Sequence, residues 1–279
     1  MQIKFLHTPM EIIFTILCGL FLLAVFLGWL VLQIPYLELA SSFVSFMYDY
    51  YVSGYLLSDI ILLPLVAFGV LLNLSESKHL KWIQAVSLFM AGYVFLLTLT
   101  LLVFFDKLSS GFQATFFLPA YFSDSYCFGV DGISILLIVL VAFMTLLCIF
   151  AALRRKSGFK SIILCLFLIE FLCIAVFSVL DILLFYMFFE SVLMPMFIMI
   201  GVWGSTRSGR IRAAYLFFLY TLAGSILFLI AIMVIYLETG TTNLLVLLNI
   251  DFSEKKQLFL WLFAFFGFAV KIPMFPIHI

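Results

Sequence analysis

With 279 residues, 67% of them apolar and 10% charged, 36 Phe and a mean hydropathy of +1.33, this chain lies far outside the composition of soluble domains. Its formal charge is zero and its longest basic run is Arg154, Arg155 and Lys156, which excludes a nucleic-acid binder. No cysteine pair has a CxxC spacing, and there is no Ser/His/Asp array, phosphate loop or zinc spacing, so the chain shows no metal, redox or hydrolytic chemistry of its own. The expected fold is all-α, a polytopic bundle of about eight membrane-crossing helices.

The first crossing, Ile12 to Ile34, lacks a small-residue cleavage site and reads as a retained helix rather than a removed leader. Pro35 to Tyr55 is rich in Tyr and Ser and free of Lys and Arg, as an outer interfacial loop should be. It separates an amino-terminal addition, residues 1–55, from a main bundle, residues 56–279. Crossings follow at Leu56–Leu74, Trp82–Phe105, Val130–Leu153, Ser161–Val179, Ile182–Val202, Ile211–Leu237 and from Leu258 through Lys271. Asp106 to Gly129, with Gly111 and Pro119, is expected to fold back on the membrane surface. An inner amino terminus puts Lys4, Lys78, Lys81, Arg154, Arg155, Lys156, Lys160, Arg207, Arg210 and Arg212 inside, against Lys107, Lys255 and Lys256 outside. That asymmetry obeys the positive-inside rule and supports eight crossings.

Two charges fall inside the crossings. Glu190 lies in ILLFYMFFESVLMPMF, about eight residues or roughly 12 Å from its helix start, and Lys271 lies in LFAFFGFAVKIPMFPI, roughly 20 Å down. An unpaired charge at the bilayer centre costs roughly 2.5–3.5 kcal/mol on insertion scales, which marks both as functional candidates. Pro195 removes a backbone bond to the Ser191 carbonyl and predicts a kink beside the carboxylate. Pro273 and Pro276 free the carbonyls of Ala269 and Ile272 and predict a helix break at the lysine, tolerated only against protein or a wet cavity. Making and breaking a Glu190–Lys271 pair would switch proton affinity, whereas a static salt bridge pinning two helices is the plainer reading.

Other polar groups rank lower. Glu170 is mid-helix and either extends a proton path or packs against Ser or Thr; Asp181, at a helix junction, is either an N-cap or part of the site. Tyr220, Thr221, Gly224 and Ser225 form a small polar face suited to helix packing, and Phe185, Phe188 and Phe189 read as apolar bulk. His278 stands two residues from the end of the sequence.

DILLFYMFFESVLMPMFIMIGVWG, RIRAAYLFFLYTLAGSILFL, TGTTNLLVLL and FAVKIPMFPIHI, in that order, with FGVDGISILLIVL around Asp131 and Gly132 before them, resemble the antiporter-like membrane-arm subunits of respiratory complex I. The resemblance runs from about Leu56 to Ile279. It implies a proton-translocation path through Glu190 and Lys271 in the mitochondrial inner membrane, with the amino terminus on the matrix side. NAD, FMN, iron–sulfur clusters and ubiquinone would be handled by other subunits, leaving no cofactor in this chain. Partners would be the neighbouring membrane-arm subunits, lipids, and a separate polypeptide supplying the family's remaining helices, since the sequence stops at PIHI. A multisubunit cation/proton antiporter and a scaffold without an active pathway are the competing classes.

Overall fold

The computed structural model describes residues 38–109, 111–118, 126–155, 158–204 and 209–275. The expected crossing Ile12–Ile34, together with Pro276 and His278, lies outside them. The chain divides into two compact units, Met1–Tyr50 and Tyr51–Ile279.

Helix α1 (Glu38–Val52) occupies the stretch whose composition suggests a loop. No Gly or Pro interrupts the sequence between Glu38 and Val52, and a helix satisfies its own backbone where water is scarce. The missing Lys and Arg mark an interface without dictating its conformation. Ser53 and Gly54 end the helix, and Gly54 turns the chain at φ +76°, where an added Cβ would lie 2.6 Å from the Thr115 carbonyl oxygen.

The larger unit contains α2 (Tyr55–Leu72), α3 (Glu76–Phe104), α4 (Ser134–Ala152), α5 (Phe159–Ser178), α6 (Ile182–Ser191), α7 (Leu193–Trp203), α8 (Arg210–Thr239), the single turn α9 (Leu244–Leu247) and α10 (Glu254–Lys271). Among the described residues six helical stretches are long and apolar enough to cross a membrane: Tyr55–Leu72, His79–Phe104, Ser134–Ala152, Phe159–Ser178, Ile182–Trp203 and Arg210–Thr239. The protein is therefore a multi-pass membrane protein. Helix α10 has the length but carries Glu254, Lys255 and Lys256 in its first turn and Lys271 in its last, so it is less apolar than the other six.

Helix α5 is the hub, packed against α2, α3, α4, α6 and α7. Toward the basic end of the bundle, Phe159, Ile163 and Phe167 of α5 interlock with Leu71, Ile83 and Ile149 in a fully buried cluster. The Lys160 ammonium closes that end by donating to the carbonyls of Leu72 and Leu74 at 2.9 and 2.7 Å, a favourable place for a cation beside a helix C-terminus.

The opposite end holds a small sheet that the helical reading of the sequence does not anticipate. Strands β1 (Gln113–Leu118) and β2 (Tyr126–Val130) pair antiparallel, and Phe116 stacks on Phe128 with ring centroids 4.9 Å apart. The segment between α5 and α6 runs extended beside this hairpin, where the Leu180 N–H donates to the Cys127 carbonyl at 2.9 Å. On its other side the Leu244 N–H donates to the Leu180 carbonyl, and the Ile182 N–H to the Thr242 carbonyl. A hydrogen-bonded cap thus fixes the start of α6, and with it the depth of Glu190.

Candidate functional site

Lys271, the last residue of α10, reaches the final turn of α6. Its Nζ stands 3.7 Å from Glu190 Oε1, with the two side chains 17% and 16% exposed. The same ammonium donates to the Phe189 carbonyl at 2.7 Å and sits 3.0 Å from the centroid of the Phe189 ring. Three features therefore hold one cation: a carboxylate, the negative end of a helix and an aromatic face. Glu190 is satisfied less completely, since both its oxygens are buried and accept no hydrogen bond from the described residues.

Close packing of α8 and α10 brings Lys271 to this place. A Cβ on Gly224 would lie 2.6 Å from Val270 Cβ, and one on Gly267 would lie 2.7 Å from Phe228 Cβ, so two glycines let the backbones approach. Phe185, Phe189, Phe228 and Phe268 form an aromatic wall beside the pair, with centroids 5.6 Å apart for Phe185–Phe189, 5.5 Å for Phe189–Phe268 and 4.9 Å for Phe228–Phe268. Thr221 and Ser225 on the same face of α8 bond back to the carbonyls of Phe217 and Leu222, in keeping with packing.

The structure places Val192, with helical backbone angles, between α6 and α7, and ends α10 at Lys271, two residues before Pro273. The Val192 N–H bonds back to the Phe188 carbonyl at 3.3 Å and the chain continues through α7, which contains buried Pro195. The carbonyl offered to Lys271 is that of Phe189, two residues before Ser191. At the other break, the Ala269 carbonyl that Pro273 deprives of its ordinary donor accepts instead from the Met274 N–H at 3.0 Å. A wider closing turn recovers the lost bond.

Asp181 and Glu170 do not join the ion pair directly. Asp181 caps α6: its Oδ1 accepts from the Leu184 N–H at 2.9 Å and its Oδ2 from the Thr242 hydroxyl at 2.5 Å. Both oxygens are engaged at the hairpin end, the arrangement of a structural cap. Glu170 lies on α5 with 0% exposure, and neither oxygen has a hydrogen-bond partner among the described residues, so the Ser or Thr contact considered for it is not found there.

One participant escapes the sequence reading. Phe189, classed there as bulk, supplies both ring and carbonyl to Lys271; being adjacent to Glu190 in a terminal helical turn was the available signal. A cleft of about 420 Å³ between α6, α8 and α10, lined by Phe185, Phe228, Ala231, Leu260, Trp261 and Ala264, opens toward the hairpin end and includes neither member of the pair.

The chain finds counterparts among known proteins. Residues 179–279 match the family model described as NADH:quinone oxidoreductase/Mrp antiporter, transmembrane. The NADH-ubiquinone oxidoreductase chain 4 of Chondrus crispus is 47% identical over 221 residues, covering 78% of this chain and 44% of that protein. That of Arabidopsis thaliana is 45% identical over 227 residues, covering 80% and 45%. Over about four fifths of its length this chain is similar to those chains. It spans about 45% of the length of the curated relatives it matches.

Respiratory complex I from Thermus thermophilus contains a chain that superimposes with a TM-score of 0.68 at 31% identity, over 79% of this chain and 45% of that one. A chain of the archaeal membrane-bound sulfane sulfur reductase shares the fold, with a TM-score of 0.61 at 19% identity over 78% and 34%. The antiporter-like helical fold expected from the sequence is therefore the one observed.

Proposed function

We propose that this chain is the portion of a complex I membrane-arm subunit that carries a proton half-channel, with Glu190 and Lys271 as its switching pair. The observation that carries the reading is the 3.7 Å approach of a lysine and a glutamate inside the bundle, where Lys271 also has a second set of partners in Phe189. With Glu190 close, the ammonium holds its proton; with Glu190 withdrawn, that attraction is lost and the proton leaves more readily. Two charges about 4 Å apart at an effective dielectric of 20 interact by ~4 kcal/mol. Moving one charge against ~150 mV requires ~3.5 kcal/mol. Making and breaking one pair is thus on the scale of one pumped proton.

The relatives' names support coupling to NADH:ubiquinone oxidoreduction, and by the family resemblance NAD, flavin, iron–sulfur clusters and quinone would be handled by other subunits. By the family resemblance the chain would lie in the mitochondrial inner membrane, and the positive-inside rule would put its Lys/Arg-rich loops on the matrix side. Residues 1–55 would add contacts with neighbouring membrane-arm subunits. The test is Lys271→Met in the assembled complex: proton pumping is lost while the complex still assembles. Pumping at the unmodified rate would leave the chain a scaffold. The family model's description also names the Mrp antiporters, which favours a cation/proton exchanger as the second reading. Copurification with a quinone-reducing complex separates the two.

A further inference from the structure

We propose that Phe189 is the residue that keeps Lys271 charged while Glu190 is away from it, acting through the face of its ring and its backbone carbonyl together. The inference rests on Lys271 and Glu190 being the proton pair. An ammonium carries three N–H donors. At Lys271 one of them donates to the Phe189 carbonyl at 2.7 Å, the Phe189 ring centroid lies 3.0 Å from Nζ, and the Glu190 carboxylate stands farther off at 3.7 Å. Nζ is therefore nearer to both parts of Phe189 than to its counter-ion. When Glu190 withdraws, two of the three attractions stay in place.

Neither of those two depends on Glu190. Phe189 falls within the last four residues of α6, whose carbonyls have no further turn of that helix to bond them, and a cation placed there also meets the negative end of the helix. The ring is oriented independently: Phe185 stacks on it at 5.6 Å and Phe268 meets it edge-on at 5.5 Å. Phe268 lies three residues before Lys271, so a residue that orients the ring and the cation that uses it ride on the same helix, α10. Attraction between an ammonium and a ring face strengthens as water is excluded, and the Lys271 side chain is largely covered. Leucine would fill the same place in the apolar wall and offer the cation nothing.

The arrangement is a two-part lock. Withdrawal of Glu190 loosens the proton, but the ammonium stays on Phe189 until its own side chain swings off the ring and the carbonyl. Only then does an N–H bond break, its electron pair remaining on the amine and the proton passing to water. A movement of Glu190 by itself does not release the proton, so a fluctuation between strokes is not a lost proton.

The test counts protons moved per NADH oxidised by the assembled complex. Phe189→Leu keeps the carbonyl and an apolar side chain but removes the ring; the hold on the cation weakens roughly tenfold, and the count falls while NADH oxidation continues at the unmodified rate. Phe189→Tyr keeps a ring face and restores the count. A fluorinated phenylalanine at the same position keeps the ring's shape with less negative charge on its face; it lowers the count as leucine does, and it decides the question if the Leu variant fails to assemble. In the Lys271→Met background Phe189→Leu changes nothing further. An unchanged count in Phe189→Leu, a fluorinated ring that pumps as phenylalanine does, a Tyr variant no better than the Leu variant, or a further loss in the Lys271→Met background overturns the proposal. Normal pumping by Lys271→Met removes the pair and this inference together, whereas an unchanged count in Phe189→Leu alone removes only the inference.

Discussion

Helix α6 begins at one carboxylate, Asp181, and carries another, Glu190, in its last turn, and the two are handled in opposite ways. Asp181 has neutral donors on both oxygens, a helix N–H and a threonine hydroxyl, and sits in a hydrogen-bonded cap built from three separate chain segments. Glu190 has no hydrogen bond from the described residues and faces a single cation at 3.7 Å, beyond hydrogen-bonding distance. A fully donated carboxylate fixes geometry, because each partner must be lost for it to move. A carboxylate held by charge alone can move while keeping part of its attraction, which falls only as the inverse of distance. The same side-chain chemistry thus serves as a fixed anchor at one end of a helix and as a movable charge at the other.

The largest effect that could break this comparison belongs to the pair. Glu190→Gln and Lys271→Met each abolish pumping in the assembled complex, and the double variant is no worse than either alone, because the two act as a unit. Additive partial losses in pumping assays would mean two independent groups. Next comes the packing that sets their distance. Gly224→Val places atoms where Val270 Cβ already lies 2.6 Å from an added Cβ, so α8 and α10 must separate. Overpacking of this kind costs about 1–3 kcal/mol, and it is expected to lower the thermal stability of the complex and to weaken pumping together. Gly224→Val protein that melts normally would show that α10 has room to shift.

Asp181 should behave differently. Asp181→Ala removes an N-cap and one partner of Thr242, a loss of about 0.5–2 kcal/mol seen as a lower melting temperature, while Asp181→Asn keeps an acceptor and stays near the parent. Neither changes the pumping rate of complex that has assembled. Loss of pumping in Asp181→Asn at unchanged stability would move Asp181 from the anchor class into the proton path.

What the sequence made legible follows from these same forces. Crossings such as Ser134–Ala152 and Arg210–Thr239 are read from length and apolarity because lipid demands a helix wherever backbone crosses it. Glu190 and Lys271 stand out because charge is rare at that depth. The hairpin-end cap was hidden because its parts are a six-residue strand, a five-residue strand and an extended junction of three residues, too short to show a period. Helix α1 was hidden for another reason: at an interface, aromatic and hydroxyl residues suit loop and helix alike. Phe189 was missed because its role is exercised by a carbonyl oxygen, which every residue has, and by a ring among 36.

The smallest effect concerns a third carboxylate, Asp131, just before α4 and outside the membrane-crossing stretch. Partial burial acts to raise its pKa, but the N–H groups of Ser134 and Ile133, at 2.6 and 3.2 Å, outweigh this and hold the carboxyl below its ordinary value. A folded-state pKa lowered relative to the unfolded chain adds stability that is complete above the unfolded value and is lost as pH falls through the folded one. Thermal melts of the assembled complex should therefore show a small acid-side loss of stability that Asp131→Asn removes, since the amide oxygen still accepts at the helix start without titrating. Asp131 would then group with Asp181 as an anchor held by donors, and its variant would leave pumping by assembled complex unchanged. An Asp131→Asn complex whose pumping failed at unaltered stability would show that hydrogen-bond satisfaction does not separate fixed carboxylates from working ones in this protein.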